Sequence, residues 1–244
     1  MDRFFPKSCK QKTKPHLFCP GCGHAAILKQ LGAVIDEMDI QRNITFGIDI
    51  GCSLLAWDFF DVDTVQTHHG RTASVMMGYK MARPERVAVA YMGDGGAYAI
   101  GLQSLLHIAL RNEPISVIVV NNANYAMTGG QMSPTTPVEA ITVASSQGKD
   151  MIFGPGLKGP ELISRIAAKN SWIGRASTGN LSQLKNMLKK VMANQAENKS
   201  FSFLEILSAC PVNWKTDAAL SFKRLEEMQK NYPLGEVKIS NEKH

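Results

Sequence analysis

The sequence predicts an α/β protein with a doubly wound, mostly parallel sheet and a diphosphate-binding type of fold. Short apolar segments rich in β-branched residues alternate with segments of helical periodicity along most of the 244 residues. Several of the apolar segments run straight into glycine and then Asp, Asn or Cys. The hydrophobic content of 44% allows one sizeable core.

The elements are predicted in chain order as follows. Gly23–Met38 and Thr72–Met81 are predicted helices, and Ile44–Asp49 and Thr64–Thr67 are predicted strands. A central strand–helix–strand unit follows, with Arg86–Met92, Ala97–Leu110 and Ile115–Val120 as its parts. The two strands are almost wholly apolar, as expected of parallel strands covered on both faces.

The second half continues the alternation. We expect a short helix over Pro137–Gly148, a loop over Gly154–Pro160, and then Glu161–Lys169, Trp172–Ala176, Leu181–Ala196 and Phe201–Leu207 as alternating helices and strands. Residues 1–216 are predicted to form one domain. Residues 217–244 are polar, with Leu220–Met228 as the one candidate core face. They are predicted to form a C-terminal arm that contacts another subunit, or alternatively a frayed tail.

Charge and hydropathy exclude several classes of protein. The net charge of +6 comes from scattered Lys and Arg, with a basic arm of Lys7, Lys10, Lys12 and Lys14 near the start. No aromatic-studded basic stripe indicates nucleic-acid binding, so docking of an acidic partner or plain solvation explains the charge better. No apolar run reaches the roughly 20 residues of a membrane span, and no signal peptide is evident, so a cytoplasmic protein is expected.

The central unit predicts a metal–diphosphate site. Right-handed winding of this unit places Asp94 and Asn122 at the carboxyl ends of parallel strands, beside glycines and a helix N-terminus. Mg²⁺ prefers hard oxygen ligands in octahedral array, and these two side chains with one backbone carbonyl, from Asn124, would supply part of the set. Thr128, Gly129 and Gly130 could offer further groups to the phosphates.

The spacing of these residues resembles the thiamine diphosphate motif, in which GDG is followed after about two dozen residues by paired Asn. Here 25 residues separate Gly95 from Asn121. GDG, NN and TGGQ occur in that order around a credible βαβ unit, a combination that an ordinary acidic turn seldom shows.

The cysteines form a second group. Cys19 and Cys22 lie in the knuckle FCPGCGH, and Cys52 and Cys210 each follow an apolar strand. Four thiolates could bind zinc or a [4Fe–4S] cluster, and the spacing fits either. Alternatively, Cys52 and Cys210 are small buried apolar residues. Cys9 is the odd cysteine and is not expected to be a ligand.

Taken together, FCPGCGH, GIDIGCS, HHGR, GDGG, NNANYAMTGGQMSPTTP and ILSACP resemble the β subunit of 2-oxoacid:ferredoxin oxidoreductases over roughly Phe18 to Pro211. The resemblance implies thiamine diphosphate with Mg²⁺ and one [4Fe–4S] cluster on this chain, in an enzyme of anaerobic metabolism. It implies Cys19, Cys22, Cys52 and Cys210 as cluster ligands, and Asp94, Asn122 and the carbonyl of Asn124 as Mg²⁺ ligands. Further cofactor contacts implied are Gly51, Cys52, Ser53, His69, Gly93, Asp94, Gly95, Gly96, Asn122, Tyr125, Ala126, Met127, Thr128 and Gly129.

The same resemblance implies the reaction and its partners. A 2-oxoacid would be oxidatively decarboxylated to acyl-CoA and CO₂, and coenzyme A is a co-substrate. His69 is a candidate proton donor or carboxylate partner and Arg71 a charge clamp, although a purely structural role for His69 is about as credible. The partners would be a pyrimidine-domain α subunit, γ/δ ferredoxin-like subunits and ferredoxin, in an (αβ)₂ hetero-oligomer or larger. We expect the chain alone to be inactive.

Two departures from the family pattern bear on substrate and cofactor. Gly96 stands where relatives often carry a second Asp, which removes a carboxylate near the diphosphate. Relatives that use 2-oxoglutarate tend to have a basic residue three positions after Cys52, where this chain has Leu55. An apolar stretch favours 2-oxoisovalerate, with pyruvate next, unless Leu54, Leu55 and Trp57 only pack the core.

Two other interpretations are consistent with the sequence. One is a non-oxidative thiamine diphosphate decarboxylase or carboligase subunit in which the four cysteines bind a structural zinc. The other is a non-catalytic zinc-knuckle interaction module. An iron–sulfur chromophore would distinguish the oxidoreductase from both.

Overall fold

The structure is a computed structural model, which describes residues 5–11 and 16–239. A single sheet forms the centre, and its strands are β1 (Ile44–Ile48), β2 (Asp63–Gln66), β3 (Val87–Gly93), β4 (Ser116–Asn121), β5 (Trp172–Ser177), β6 (Ser202–Leu207) and β7 (Gly235–Glu236). The strand order is β2-β1-β3-β4-β6-β5-β7. The first six strands are parallel and β7 pairs antiparallel with β5, which confirms the predicted doubly wound, mostly parallel sheet.

Helices cover both faces of the sheet. They are α1 (Gly23–Glu37), α2 (Thr72–Ala82), α3 (Leu102–Leu110), α4 (Gly159–Ser164), α5 (Leu181–Asn198), α6 (Pro211–Trp214) and α7 (Ala218–Asn231). Along β3, the alternating side chains Val89 and Tyr91 face the α1 and α5 side, whereas Ala90 and Met92 face the α2 and α3 side. Both faces are therefore apolar, as a sheet buried on two sides requires.

The helix predicted over Ala97–Leu110 is interrupted. Its first turn, Gly96–Ile100, is π-helical, and α3 begins only at Leu102. The N–H of Gly101 donates to the carbonyl of Gly96 at 2.8 Å, the wider bond of a π turn. A Cβ at Gly101 would lie 2.7 Å from the carbonyl oxygen of Gly70, so this turn can approach the loop before α2 only because it carries no side chain.

The prediction of a helix over Pro137–Gly148 is wrong. The segment is a series of turns in which the N–H of Glu139 donates to Lys149 and the N–H of Lys149 donates to Ala140. Glu139 and Gly148 both have positive φ, at 66° and 87°, which a helix does not accommodate.

The C-terminal segment packs on the domain itself as far as the structure describes it. In α7, Leu225 and Met228 are buried against Leu207, Cys210 and Trp214. Part of the candidate core face, Leu220–Met228, therefore packs against the chain's own apolar residues. Contact with another subunit stays a prediction, and residues 240–244 lie outside the described part.

Two further points from the sequence concern the basic arm near the start of the chain and the search for membrane-spanning helices. Lys12 and Lys14 of the basic arm lie outside the described residues, whereas Lys10 lies over the ring of Trp57. Within residues 5–11 and 16–239, none of the helices combines the length and the apolar character that crossing a bilayer would require.

Candidate active site

Polar residues that follow three of the parallel strands meet at one edge of the sheet. Asp49 follows β1, Asp94 follows β3 and Asn122 follows β4. The chain leaves β1 for β2 on one side and then crosses to β3 on the other. The crevice between β1 and β3 is therefore a topological switch point, where open α/β sheets bind ligands.

A cavity of about 300 Å³ opens at this edge. Of the fourteen residues predicted to contact the cofactor, every one except Gly129 lines it. The lining residues are His24, Ile50, Gly51, Cys52, Ser53, His69, Gly93, Asp94, Gly95, Gly96, Ala99, Ile100, Val120, Asn122, Asn124, Tyr125, Ala126, Met127 and Thr128. A cavity of this size, largely apolar with a few convergent polar groups, is typical of a cofactor site.

Glycines leave the cavity open. A Cβ at Gly51 or Gly93 would meet no atom within 4 Å, so a side chain at either position would take up cavity space. Gly95 has a different reason to be glycine, because a Cβ there would lie 2.5 Å from the ring of Tyr125.

Asp94 is the buried carboxylate of the cavity wall. Its Oδ1 accepts the N–H of Gly95 at 2.8 Å, and its Oδ2 accepts the hydroxyls of Ser133 at 2.8 Å and Thr135 at 3.1 Å. Burial raises the pKa of Asp94 to about 6, against the lowering effect of those hydrogen bonds. A carboxylate held by neutral donors alone suits a cation as its further partner.

The paired asparagines have separate tasks. Asn121 points into the protein, where its Oδ1 accepts from Thr135 at 2.8 Å and its Nδ2 donates to Glu205 at 3.2 Å. Asn122 lines the cavity, and its Oδ1 accepts the N–H of Asn124 at 3.2 Å. The buried Oδ1 of Asn124 has no hydrogen-bond partner among the described residues. Asp94, Asn122 and Asn124 all line the cavity, and their oxygens are of the kind that a hard cation such as Mg²⁺ prefers. Coordination by the backbone carbonyl of Asn124 stays a prediction.

The loop after Asn124 turns back on itself. The N–H groups of Gly129 and Gly130 donate to Ala126 and Tyr125, and the Thr128 hydroxyl donates to Gln131. These two glycine amides are thus engaged within the loop, and their predicted contact with phosphates stays a prediction.

Only one of the two predicted catalytic side chains reaches the cavity. His69 lines it, with 37% of its side chain exposed. Arg71 does not line it, and its guanidinium donates to the carbonyl of Ile100 at 3.1 Å. Arg71 therefore supports a wall residue, and the structure gives no contact for its predicted role as a charge clamp.

The four predicted cluster cysteines lie near one another. Burial raises the pKa of Cys22 to about 12 and that of Cys52 to about 11, and neighbouring thiols raise both further. Cys22 is influenced by Cys210, Cys52 and Cys19, so all four act on one another electrostatically. Cys9 is buried elsewhere, against Gly32 of α1.

The arrangement of these sulfurs bears on the kind of metal centre. Tetrahedral zinc with Zn–S bonds of about 2.3 Å needs sulfurs about 4 Å apart. Within the described residues, no three His, Cys, Asp or Glu side chains are arranged to hold a single metal ion. The mutual influence of the four thiols makes them candidate ligands of one metal centre, and the [4Fe–4S] assignment stays a prediction. Cys52 also lines the cavity, so the sulfur group and the Asp94 group share a wall.

Two residues of the site escaped the sequence analysis. His24 lines the cavity, and its Nδ1 lies 2.6 Å from the hydroxyl oxygen of Tyr91. Burial lowers the pKa of His24 to about 4, so it is neutral at pH 7. Its position directly after the knuckle CPGC was a signal for it. Asp49 is the second, and its position at a strand end was the available signal.

Leu54, Leu55 and Trp57 do not line the cavity. Leu54 and Leu55 pack against the apolar core, and Trp57 is half exposed. Leu54 and Leu55 therefore have a packing role, and the substrate argument that used these residues and Trp57 loses that support.

Known proteins match the chain along most of its length. The family described as thiamine pyrophosphate enzyme, C-terminal TPP binding domain, matches residues 49–206. The ketoisovalerate oxidoreductase subunit VorA of Methanothermobacter thermautotrophicus is 36% identical over 238 residues, which are 96% of this chain and 50% of VorA. The 2-oxoglutarate synthase subunit KorB of the same organism is 37% identical over 205 residues, covering 83% of this chain and 68% of KorB. The chain thus spans about half the length of the VorA relatives.

A solved structure agrees in fold. The 2-oxoglutarate:ferredoxin oxidoreductase of Magnetococcus marinus, with 2-oxoglutarate, coenzyme A and succinyl-CoA bound, superimposes with a TM-score of 0.80 at 24% identity. The match covers all of this chain and 87% of that one. The predicted resemblance is confirmed: the chain belongs to the thiamine pyrophosphate enzyme family and, within it, to the β subunits of 2-oxoacid:ferredoxin oxidoreductases.

Proposed function

We propose that the chain is the catalytic β subunit of a 2-oxoacid:ferredoxin oxidoreductase. The reaction converts a 2-oxoacid, coenzyme A and two oxidised ferredoxins into acyl-CoA, CO₂, one proton and two reduced ferredoxins. One observation carries the proposal. Asp94, Asn122 and Asn124 line the same cavity as Cys52, and Cys52 interacts with the three other cysteines of the predicted set.

The residues divide into three tasks. Asp94, Asn122 and Asn124 would hold Mg²⁺ with the diphosphate of thiamine diphosphate, which supplies the carbanion chemistry when bound. Cys19, Cys22, Cys52 and Cys210 would hold a [4Fe–4S] cluster that accepts electrons one at a time. His69 lines the remaining wall and would orient the 2-oxoacid or move a proton.

Ser133 and Thr135 belong to the support of the metal site. Their hydroxyls hold the rotamer of Asp94 and favour its ionised form against the effect of burial. Loss of a group that hydrogen-bonds a metal ligand commonly lowers the affinity for the metal by about 10- to 100-fold. Both residues lie in the Ser–Pro–Thr–Thr segment of the motif NNANYAMTGGQMSPTTP. Their bonds to Asp94 explain why hydroxyl side chains stand at these positions.

A branched, apolar 2-oxoacid such as 2-oxoisovalerate is the proposed substrate, with pyruvate next. The lining contributed by the described residues contains no Lys or Arg, so it offers no cation to a second carboxylate. The larger apolar residues of that lining are Ile50, Ile100, Val120 and Met127. VorA is named for ketoisovalerate, which is consistent with this preference.

The proposed partners are an α subunit with a pyrimidine-binding domain, ferredoxin-like γ/δ subunits and ferredoxin. The described fold contains one diphosphate-type domain, and the aminopyrimidine ring needs a carboxylate that a second domain supplies. We therefore expect full activity only in the hetero-oligomer.

The test is anaerobic co-expression and purification with candidate partner subunits, followed by assays on a panel of 2-oxoacids with viologen or ferredoxin as acceptor. We expect coenzyme A-dependent oxidation, fastest with 2-oxoisovalerate. In the isolated β chain, Cys52→Ser should lose the visible iron–sulfur absorption, whereas Cys9→Ala should keep it. A colourless wild-type chain that binds stoichiometric zinc would refute the cluster, and turnover without any acceptor would favour a non-oxidative decarboxylase.

A further inference from the structure

A second buried carboxylate lies behind the cavity wall, on the neighbouring strand. Asp49 follows β1 and its side chain is fully buried. Its Oδ1 accepts the N–H of Gly70 at 2.8 Å, and its own N–H donates to the carbonyl of Tyr91 at 3.1 Å. These bonds fix both the backbone and one oxygen of the carboxylate.

The other carboxylate oxygen faces His69. Asp49 Oδ2 and His69 Nδ1 are 3.4 Å apart, and neither atom has a hydrogen bond to any described residue. Leaving a buried polar atom unpaired costs about 1–3 kcal/mol, so two such atoms facing each other need an explanation. A shift of a few tenths of an ångström with better alignment would join them in a charge-assisted hydrogen bond.

Gly96 shows that the position of Asp49 is built into the fold. A Cβ at Gly96 would lie 1.6 Å from Asp49 Oδ2 and 2.8 Å from its Cγ, so the carboxylate occupies the space of a side chain at position 96. The same Cβ would lie 3.4 Å from Cε1 of His69. A carboxylate therefore fills the place that a side chain at position 96 would take. It reaches this place from β1.

We propose that Asp49 is a positioning residue for His69 and that glycine at position 96 leaves the space its carboxylate needs. A carboxylate facing Nδ1 favours the tautomer with its proton on Nδ1, which leaves Nε2 as the hydrogen-bond acceptor of the ring. His69 lines the cavity and Asp49 does not, so Asp49 acts on the reaction only through His69. The catalytic consequence rests on the proposed function, whereas the contact between the two residues does not.

The surroundings of Asp49 agree with this role. Burial raises the pKa of Asp49, and the Gly70 N–H, the charge of His69 and the Thr72 hydroxyl act in the opposite direction. Within the described residues, His69 is the one titratable group among these influences. His69 is thus the one titratable partner, among the described residues, that favours the ionised form of Asp49.

The test is a double-mutant cycle on the full chain with Asp49→Gly, Gly96→Asp and the two combined. Gly96→Asp alone should lower the urea midpoint of unfolding, because its Cβ overlaps Asp49 and two carboxylates then share one space. Asp49→Gly alone should shift the ¹⁵N resonances of the His69 ring away from the Nδ1–H pattern. The combined variant should recover the ring shifts and a midpoint above that of Gly96→Asp. His69→Gln assigns the resonances.

Asp49→Asn provides the conservative variant if Gly96→Asp does not fold. It keeps the shape of the side chain and should still change the His69 shifts, whereas Asp36→Asn, which alters a carboxylate at the N–H groups of Lys7 and Ser8, should not. In the assembled enzyme, Asp49→Gly should lower kcat by about 10- to 100-fold with little change in KM for the 2-oxoacid.

Two results would overturn the inference. One is a set of His69 ring shifts that is the same in wild type, Asp49→Gly and Asp49→Asn. The other is a combined variant whose loss of stability equals the sum of the two single losses. Both readouts are made without substrate, so an absence of oxidoreductase activity would count against the proposed function alone.

Discussion

Two buried carboxylates lie side by side in this protein and have opposite surroundings. Glu205 in β6 accepts Nε of Arg175 at 2.5 Å and the Tyr98 hydroxyl at 2.6 Å. Asp94 after β3 accepts only neutral donors, the two hydroxyls and one N–H described above. Asn121 links the two groups, because it donates to Glu205 and shares the Thr135 hydroxyl with Asp94.

The difference indicates which carboxylate serves the fold and which serves a ligand. Arg175 is fully buried and also holds Glu161 through two bonds of 2.8 and 2.6 Å, so the negative charge of Glu205 is compensated within the chain. Asp94 lines a cavity and has no cation among its hydrogen-bond partners within the described residues. A buried carboxylate without an internal counter-charge, at a strand end, is the more credible metal ligand.

The largest effect should come from removing the charge at the cavity. Asp94→Asn should lower the activity of the assembled enzyme by about 1,000-fold, or about 4 kcal/mol, because the metal loses its carboxylate ligand. Steady-state assays at saturating Mg²⁺ and thiamine diphosphate measure this. Asp36→Asn serves as the control for an aspartate away from the cavity. An Asp94→Asn enzyme within tenfold of wild type would remove Asp94 from the metal site.

Removal of the negative charge of Glu205 should lower the stability of the fold. Glu205→Gln should lower the free energy of unfolding by about 3 kcal/mol, because buried Arg175 loses one of its two carboxylates. Urea unfolding of the chain at pH 7 measures this, and Asp94→Asn is the matched control at the other carboxylate, with a much smaller expected loss. Equal losses in both variants would abolish the distinction between the two groups.

The pH dependence of stability provides a further test of the assignment of Asp94 as an uncompensated buried carboxylate. Burial raises the pKa of Asp94 from 3.8 to about 6, so the folded chain without Mg²⁺ holds this proton more tightly than the unfolded chain. The resulting stabilisation is present below pH 4 and is lost as the pH rises through 6. The unfolding free energy of wild type minus that of Asp94→Asn should therefore fall by about 2 kcal/mol between pH 4 and 7.

Taking the difference between variants removes the contribution of His24. Its pKa is lowered to about 4 by burial, so His24 costs stability as the pH falls from 6.5, which opposes the Asp94 effect in the same range. Urea titrations of both variants at several pH values, without Mg²⁺, provide the measurement. A difference that is flat with pH would show that Asp94 stays ionised without a metal.

Much of this site could be predicted from the sequence because its residues lie in local motifs. Asp94 and Asn122 each follow a strand whose apolar run is unmistakable, and parallel strands bring their ends together. Contacts between distant segments could not be read in this way. Asp49 meets Gly96, and Arg175 meets Glu205, only because β1 adjoins β3 and β5 adjoins β6.

The wrong helix prediction and the weakly predicted C-terminal segment have equally specific causes. Pro137–Gly148 contains residues that a helix tolerates, but Glu139 and Gly148 take positive φ and close a turn. The segment from Asp217 has three buried residues in one face of α7 and after it, Leu225, Met228 and Tyr232, among many charged ones. So narrow an apolar stripe gives only a weak helical signal in the sequence.

Substitution of a residue that supports Asp94 should have a smaller effect, and this effect should be on cofactor affinity. Ser133→Ala removes one hydroxyl from Asp94 Oδ2 and leaves Thr135 in place, so the affinity for Mg²⁺ and thiamine diphosphate should fall about tenfold. Calorimetric titration measures the affinity. Ser8→Ala, a buried serine bonded to the carbonyl of Gly32, is the control that should affect stability only. Equal affinity in Ser133→Ala and wild type would show that this support is dispensable.

The most direct test is calorimetric titration of thiamine diphosphate into the anaerobically purified protein, with and without Mg²⁺, in wild type, Asp94→Asn and Glu205→Gln. We predict Mg²⁺-dependent binding in wild type and in folded Glu205→Gln, and none in Asp94→Asn. Binding to Asp94→Asn as tight as to wild type, or binding to wild type that does not depend on Mg²⁺, would contradict the assignment of Asp94 as the metal ligand of the cofactor site.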